Sequence, residues 1–250
     1  MSADGLTNEF TFTNENLGFY LNELAKEYKK LVGKNMPAEI ILIGGAAIVS
    51  CYDFRSMTTD IDAVILAASA VRDAIGRVGD RYNLPGGWIN TDFEKTTSYS
   101  QNLMQHSTYY RTFAQVLSVR VVKAEYLVAM KLKSYRYYKN DISDIVGILA
   151  AHESAGDRIT MERINKAVID LYGSWDEFSP ASRQFIENAI GRSDYKELLE
   201  ETRQGEWDAR EKLLDFEVKY PNALSEDNVD FVLLQLKKKA MRSGDNLGQQ

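Results

Sequence analysis

Residues 40–66, IILIGGAAIVSCYDFRSMTTDIDAVIL, decide the fold. Ile40 to Ile43 is a short apolar run rich in β-branched residues and reads as a buried strand. Gly44-Gly45 ends it, Ala46 to Tyr52 is compatible with a helix, and Asp53 to Thr59 is polar. Asp60 to Leu66 returns to strand, with Ile61, Val64 and Ile65 apolar. On that strand Asp60 and Asp62 are two residues apart, so they share a face at roughly 6.5 Å along the chain. Two bare carboxylates there repel each other. A divalent cation resolves the repulsion, and magnesium takes oxygen ligands at about 2.0–2.1 Å. The glycines let backbone approach a ligand closely, and the helix behind them aims free N–H groups at an anion. A phosphate site beside a metal–carboxylate site suits phosphoryl or nucleotidyl transfer.

The rest of the chain sets bounds on this reading. Its 250 residues can bury one good core, or a larger and a smaller one. A hydrophobic content of 44% and a charged content of 26% are globular values. No apolar run is long enough to cross a bilayer, so no membrane partner is expected. MSADGLTNEF carries neither a basic nor an apolar leader region, and Cys51 is the single cysteine, so a cytoplasmic location is expected. Cys51 itself is expected in the core. Two histidines and one cysteine argue against a zinc site, and a net charge of −6 argues against a broad nucleic-acid surface.

Outward from the central stretch, Met1 to Thr13 reads as a polar arm or short edge strand. Asn14 to Gly33 reads as an amphipathic helix and Ser69 to Tyr82 as a second. Strand signals recur at Trp88–Asp92, Tyr109–Phe113 and Val116–Val122. From Glu125 the pattern is helical: Glu125–Tyr138, Asp141–His152, Met161–Tyr172, Pro180–Ile190, Tyr195–Arg203, Glu206–Tyr220 and Glu226–Met241. The expected fold is α+β (α/β), a small mixed sheet with flanking helices followed by an all-helical C-terminal half. The boundaries predicted are 1–123, 124–242 and a disordered tail at 243–250.

Gly-Gly, a short helix and Thr-Asp-Ile-Asp together resemble the signature of the polymerase-β-like nucleotidyltransferase superfamily. Glu125 to Asp144, EYLVAMKLKSYRYYKNDISD, further resembles a segment of the abortive-infection (type IV toxin–antitoxin) nucleotidyltransferases, and so does Trp88-Ile89-Asn90. The resemblance implies an enzyme that moves a nucleoside monophosphate from an NTP to an acceptor hydroxyl, with Mg2+ or Mn2+ as cofactor. Asp60 and Asp62 would hold the metal; Arg120 stands where a later-strand acid is usual, which leaves Asp92 and Glu94 as candidates for a third carboxylate, and Asp92 is expected because it follows the Trp88 strand. Lys131 would act on the phosphates. Gly44, Gly45, Thr59, Asn90, Arg136 and Asp144 would border the nucleotide. Lys139 and Asp141 fit a solvated helix face and a helix cap instead, since Asn140 separates them. The acceptor left open is a tRNA, a protein or a small molecule, and a cognate antitoxin is a further expected partner. The rival expectation is a catalytically inactive binding or regulatory module of the same fold. A dinucleotide-binding unit is disfavoured, because no G-x-G-x-x-G follows the first strand.

Overall fold

Leu17, Leu21, Leu24 and Tyr28 recur at helical spacing and form the buried side of α1 (Asn14–Val32). Thr13 and Asn16 cap its start reciprocally, and Gly33, at φ 78°, ends it. The structure is a computed structural model and describes residues 10–225 and 228–245. Most of the N-terminal arm, residues 1–9, lies outside the described residues. Its end, Phe12–Thr13, is β1, which pairs antiparallel with β3 (Met57–Thr58).

The main sheet holds β2 (Ala38–Leu42), β4 (Ile61–Leu66), β5 (Ile89–Asn90), β6 (Ser107–Phe113) and β7 (Leu117–Val122), in the order β5-β4-β2-β7-β6. β2 runs antiparallel to β4 and parallel to β7, so the sheet is mixed. The β-branched run of β2 is the middle strand and is almost wholly buried, as a strand covered on both faces requires. Helix α2 (Gly44–Cys51) leaves the end of β2, and α3 (Ala70–Tyr82) follows β4. β6 and β7 form a hairpin joined by residues 114–116, where Ala114 and Gln115 both take positive φ and the Val116 N–H donates to the Phe113 carbonyl at 3.1 Å. Lys29 of α1 donates to the Ala114 carbonyl at 2.8 Å and pins that turn.

Among the described residues six helices follow: α4 (Ala124–Ser134), α5 (Asp141–Ser154), α6 (Met161–Tyr172), α7 (Pro180–Ala189), α8 (Tyr195–Lys219) and α9 (Val229–Asp245). The fold is therefore α+β, with a small mixed sheet and helices through the C-terminal half. Several expectations need correction. The two helices expected on either side of Gly205 are one, α8. A glycine costs only about 1 kcal/mol inside a helix, and next to Gly205 the Glu206 side chain bonds α8 to the start of α5. The stretch between β5 and β6 contains two short 3-10 turns, Asp92–Lys95 and Gln101–His106. One buried apolar cluster runs from Phe12 through the sheet to Tyr195. A small second cluster joins Ala209 and Leu213 of α8 to Val229 and Leu233 of α9. Helix α9 extends to Asp245, and the remainder of the expected tail, 246–250, lies outside the described residues.

The start of α5 is capped from a distance. Oε1 of Glu206, in the middle of α8, accepts from the N–H groups of Ile142 at 2.9 Å and Ser143 at 3.1 Å. Glu206 is 2% exposed, and its Oε2 is buried without a hydrogen-bond partner. Burial pushes its pKa up to about 7, against opposing bonds from Ser143 and Ile142, with Asp144 adding to the rise. The folded pKa lies above the ordinary 4.5, so this group's contribution favours folding at low pH. That contribution is lost as pH climbs towards 7. Glu206→Gln keeps an oxygen for the two N–H groups and removes the titration. Between pH 5 and 8 its Tm should therefore fall by several degrees less than that of wild type, since about 1 kcal/mol moves Tm by roughly 2–4 °C in a chain of this size. Parallel Tm–pH curves for the two proteins would show that Glu206 does not titrate there.

Candidate active site

The β2–β4 pairing brings the glycine turn to the aspartates. Leu42 lies opposite Ala63, and the Ile43 N–H donates to the Asp62 carbonyl at 3.0 Å. The chain then turns at Gly44, which takes φ +54°, a conformation glycine adopts without a Cβ penalty. A Cβ at Gly44 would lie 3.5 Å from Oδ2 of Asp62, so the carboxylate sits beside the first residue of α2. No side chain among the described residues caps that helix, which leaves its first-turn N–H groups for a ligand.

Asp62 is half-buried and Asp60 exposed, just before β4. Burial, then the neighbouring charge of Asp60, pushes the Asp62 pKa up to about 6; Lys131 and Arg136 pull it down, and Asp92 adds a smaller upward push. A carboxylate that resists ionisation beside a second carboxylate is a donor set short of positive charge. Those two groups fit a divalent cation by chemistry and position. Asn90 stands next to Asp62 across the β4–β5 ladder, so it borders the site. Asp92 lies at the exposed start of a 3-10 turn and pairs with Lys95 at 2.7 Å. Among the described residues no group of three or more acids, cysteines or histidines stands together as a metal site.

Behind the aspartates lies a buried ionic cluster. Lys131 of α4 bonds Asp141 at 2.8 Å and Asp144 at 2.9 Å, with 11% of its side chain exposed. Arg136 bonds Asp141 through both its backbone N–H and its guanidinium. Arg55, from the loop after α2, bonds Asp144 at 2.5 Å. Burial opposes ionisation of Asp141, yet Lys131 and Arg136 outweigh it and hold its pKa well below the carboxylate range. Burial likewise opposes the charge on Lys131, and Asp141 and Asp144 overcome it to raise its pKa. Asp141 is thus not a solvated cap but the fully buried hub of the cluster. Lys133 points elsewhere, to Glu177 and the rings of Tyr172 and Phe178. Trp88 is a core anchor, 2% exposed, donating to the Ile75 carbonyl.

Two residues at the site had not been singled out. A Cβ on Gly45 would lie 2.5 Å from Thr58 Oγ1 and 2.8 Å from Arg55 Nη2, so these two side chains cover the second glycine. Thr58, rather than the exposed Thr59, therefore touches the glycine turn. Arg55 was legible as the lone cation between the glycines and the aspartates, but its partner Asp144 is 89 residues away. Cys51, expected in the core, stands exposed at the end of α2.

A family model described as "Nucleotidyltransferase of unknown function (DUF6036)" matches residues 20–197. The chain belongs to this nucleotidyltransferase family. The match takes in the glycine turn, both aspartates and the whole ionic cluster. No curated protein and no solved structure matches the chain. Among the described residues of this nucleotidyltransferase no helix is long and apolar enough to cross a membrane.

Because the Asp62 pKa is raised, its charge disfavours the fold above about pH 6 and has no effect well below the ordinary 3.8. In metal-free buffer Asp62→Asn should melt at or above the wild-type Tm at pH 8, and the advantage should vanish near pH 4. A lower Tm at pH 8 would mean that the carboxylate is held by bonds that stabilise it.

Proposed function

We propose that the chain is a metal-dependent enzyme transferring a nucleoside monophosphate from an NTP to an acceptor hydroxyl. One observation carries this: Asp62, whose pKa is raised by the neighbouring charge of Asp60, lies against the uncapped start of α2 at Gly44. The first-turn N–H groups of α2 receive the triphosphate. Asp60 and Asp62 would hold Mg2+ or Mn2+, which would offset the charge of the phosphates. The acceptor hydroxyl gives up its proton to solvent as its oxygen bonds to the α-phosphorus, the bond from that phosphorus to the α–β bridging oxygen breaks, and pyrophosphate leaves with the bonding electrons.

The ionic cluster supplies net positive charge. Lys131, Arg136 and Arg55 outnumber Asp141 and Asp144, and both Lys131 and Arg136 act on Asp62 from within range. Lys131 therefore serves the phosphates through its field and holds α4 to α5 at the same time. Asn90 lines the side of the site next to Asp62. The acceptor is an RNA, a protein or a small molecule. A cytoplasmic toxin or defence role, with a cognate antitoxin, follows from the resemblance to the abortive-infection group. The inactive-module reading has one observation in its favour, the lack of a third acid among the described residues.

The test is incubation with each α-labelled NTP, magnesium and total tRNA or cell extract. Wild type should label one component. Asp60→Asn and Asp62→Asn should lose labelling while keeping a cooperative melt, and magnesium should raise Tm in wild type alone. Label transfer by either variant at near wild-type rate would end the proposal; magnesium-dependent melting without any labelling would favour the inactive module.

Lys131→Ala should slow transfer more than tenfold, about 1.4 kcal/mol. It should also lower Tm, because it leaves two buried carboxylates short of a cation. Lys133→Ala should lower Tm through lost packing and leave the KM for NTP unchanged. Equal KM values for wild type and Lys131→Ala would place Lys131 in a purely structural role.

A further inference from the structure

Beside the glycine turn, on the far side of the Arg55–Asp144 pair, lies a cleft of about 390 Å³. That volume is in the range of small-molecule sites, roughly 300–1,000 Å³. Its walls come from the loop after α2, the start of α5 and the middle of α8. Arg55, Ser143, Arg203, Trp207 and Arg210 carry its chemistry. None of Gly44, Asp62 and Lys131 lines it. A ligand there is held by a different set of groups from those that cradle the donor triphosphate.

Three features point to the ligand. Trp207 is 56% exposed, an unusual position for the largest side chain unless its face is used. Trp88, by contrast, is buried in the core. Arg210 sits against the Trp207 ring at 5.9 Å and forms no ion pair with any described residue, and its Nε is buried without a hydrogen-bond partner. Arg210 lines the cleft, where a guanidinium without an ion pair offers N–H donors to an anion. Arg203 and Arg55 add two more guanidinium groups, each tethered on one side: Arg203 to the Phe54 carbonyl, Arg55 to Asp144 and the Met57 carbonyl. Of the two acids in the lining, Asp144 is already neutralised by Arg55 and Lys131, which leaves Asp53. An aromatic face beside cations with free N–H donors matches a base stacked on an indole with its phosphate on arginine.

We infer that this cleft binds a nucleoside phosphate separate from the donor NTP, its base on Trp207 and its phosphate on Arg210 and Arg203. Arg55 is the shared wall, reaching Gly45 on one side and the cleft on the other. The ligand has two sources, the terminal nucleotide of a nucleic acid or a free nucleotide. The inference rests on the nucleotidyl-transfer reading for its use, but the binding itself does not require it.

The test is calorimetric titration of the full chain, in EDTA, with each of the four ribonucleoside 5′-monophosphates. At least one should bind. Trp207→Ala and Arg210→Ala should each weaken it tenfold or more, Arg210→Lys should recover part of the loss, and Asp62→Asn should stay within twofold of wild type. Melts of each variant establish that it folds. No binding of any of the four at millimolar concentration would overturn the inference. So would binding that is lost in Asp62→Asn and kept in Trp207→Ala, since the ligand would then occupy the donor cradle. A ten-nucleotide single-stranded RNA that binds tighter than the monophosphate, with the same dependence on Trp207, identifies the end of a nucleic acid; equal affinity identifies a free nucleotide. Transfer is assayed separately, so loss of the enzymatic reading with Trp207-dependent binding intact remains distinguishable from the reverse.

Discussion

The structure depends on two buried carboxylates and the three cations that hold them. Asp141 and Asp144, on the first turn of α5, are almost fully buried, and an isolated buried carboxylate is too costly to persist. Each is held by two cations: Lys131 and Arg136 for Asp141, Lys131 and Arg55 for Asp144. Those cations come from α4, from the segment after it, and from the loop after α2. The cluster therefore sets where the helical half stands against the sheet, and where the loop covering Gly45 stands against both. Such a cluster is weak evidence for net stability, because a packed apolar replacement can do as well. Its consequence is geometric: removing any one member leaves a partner charged and buried.

The same arrangement sets the electrostatics of the aspartate pair. Asp62 is half-buried next to Asp60, so its ionisation is disfavoured, while Lys131 and Arg136 partly offset that. The site is left short of positive charge near the carboxylates and supplied with it a few residues further back. The start of α2 adds its uncapped N–H groups on the third side. A ligand carrying both phosphate and a divalent cation meets each of these demands at once. The loop that carries Arg55 is pinned in turn by packing. The Phe54 ring lies on the bare Cα of Gly147 in α5, where any Cβ would overlap it.

Local signals were a sound guide to the elements that carry them. The β-branched run of β2, the Asp60/Asp62 spacing, the glycine turn and the capped α1 are each written within a few consecutive residues. The misreadings arose where a distant segment overrode a local signal. Gly205 looks like a break, but the packing of α8 on α5 and the Glu206 bonds to α5 carry the helix through it. Asp141 looks like a cap, but Lys131 and Arg136 bury it.

By itself the sequence determined that a strand, a glycine turn and a second strand would bring two carboxylates beside the start of a helix. That follows from periodicity and backbone freedom, which act over a few residues. It also determined that the C-terminal half would be helical, for the same reason. Only the tertiary structure decided which buried charges meet. Arg55 and Asp144 are 89 residues apart, and Glu206 is 64 from the Ile142 N–H it caps. The free energy of a buried charge depends on what surrounds it in space rather than on its neighbours in the chain. The open cleft around Trp207 and Arg210 was decided there too, since it exists only where α8 crosses the first turn of α5.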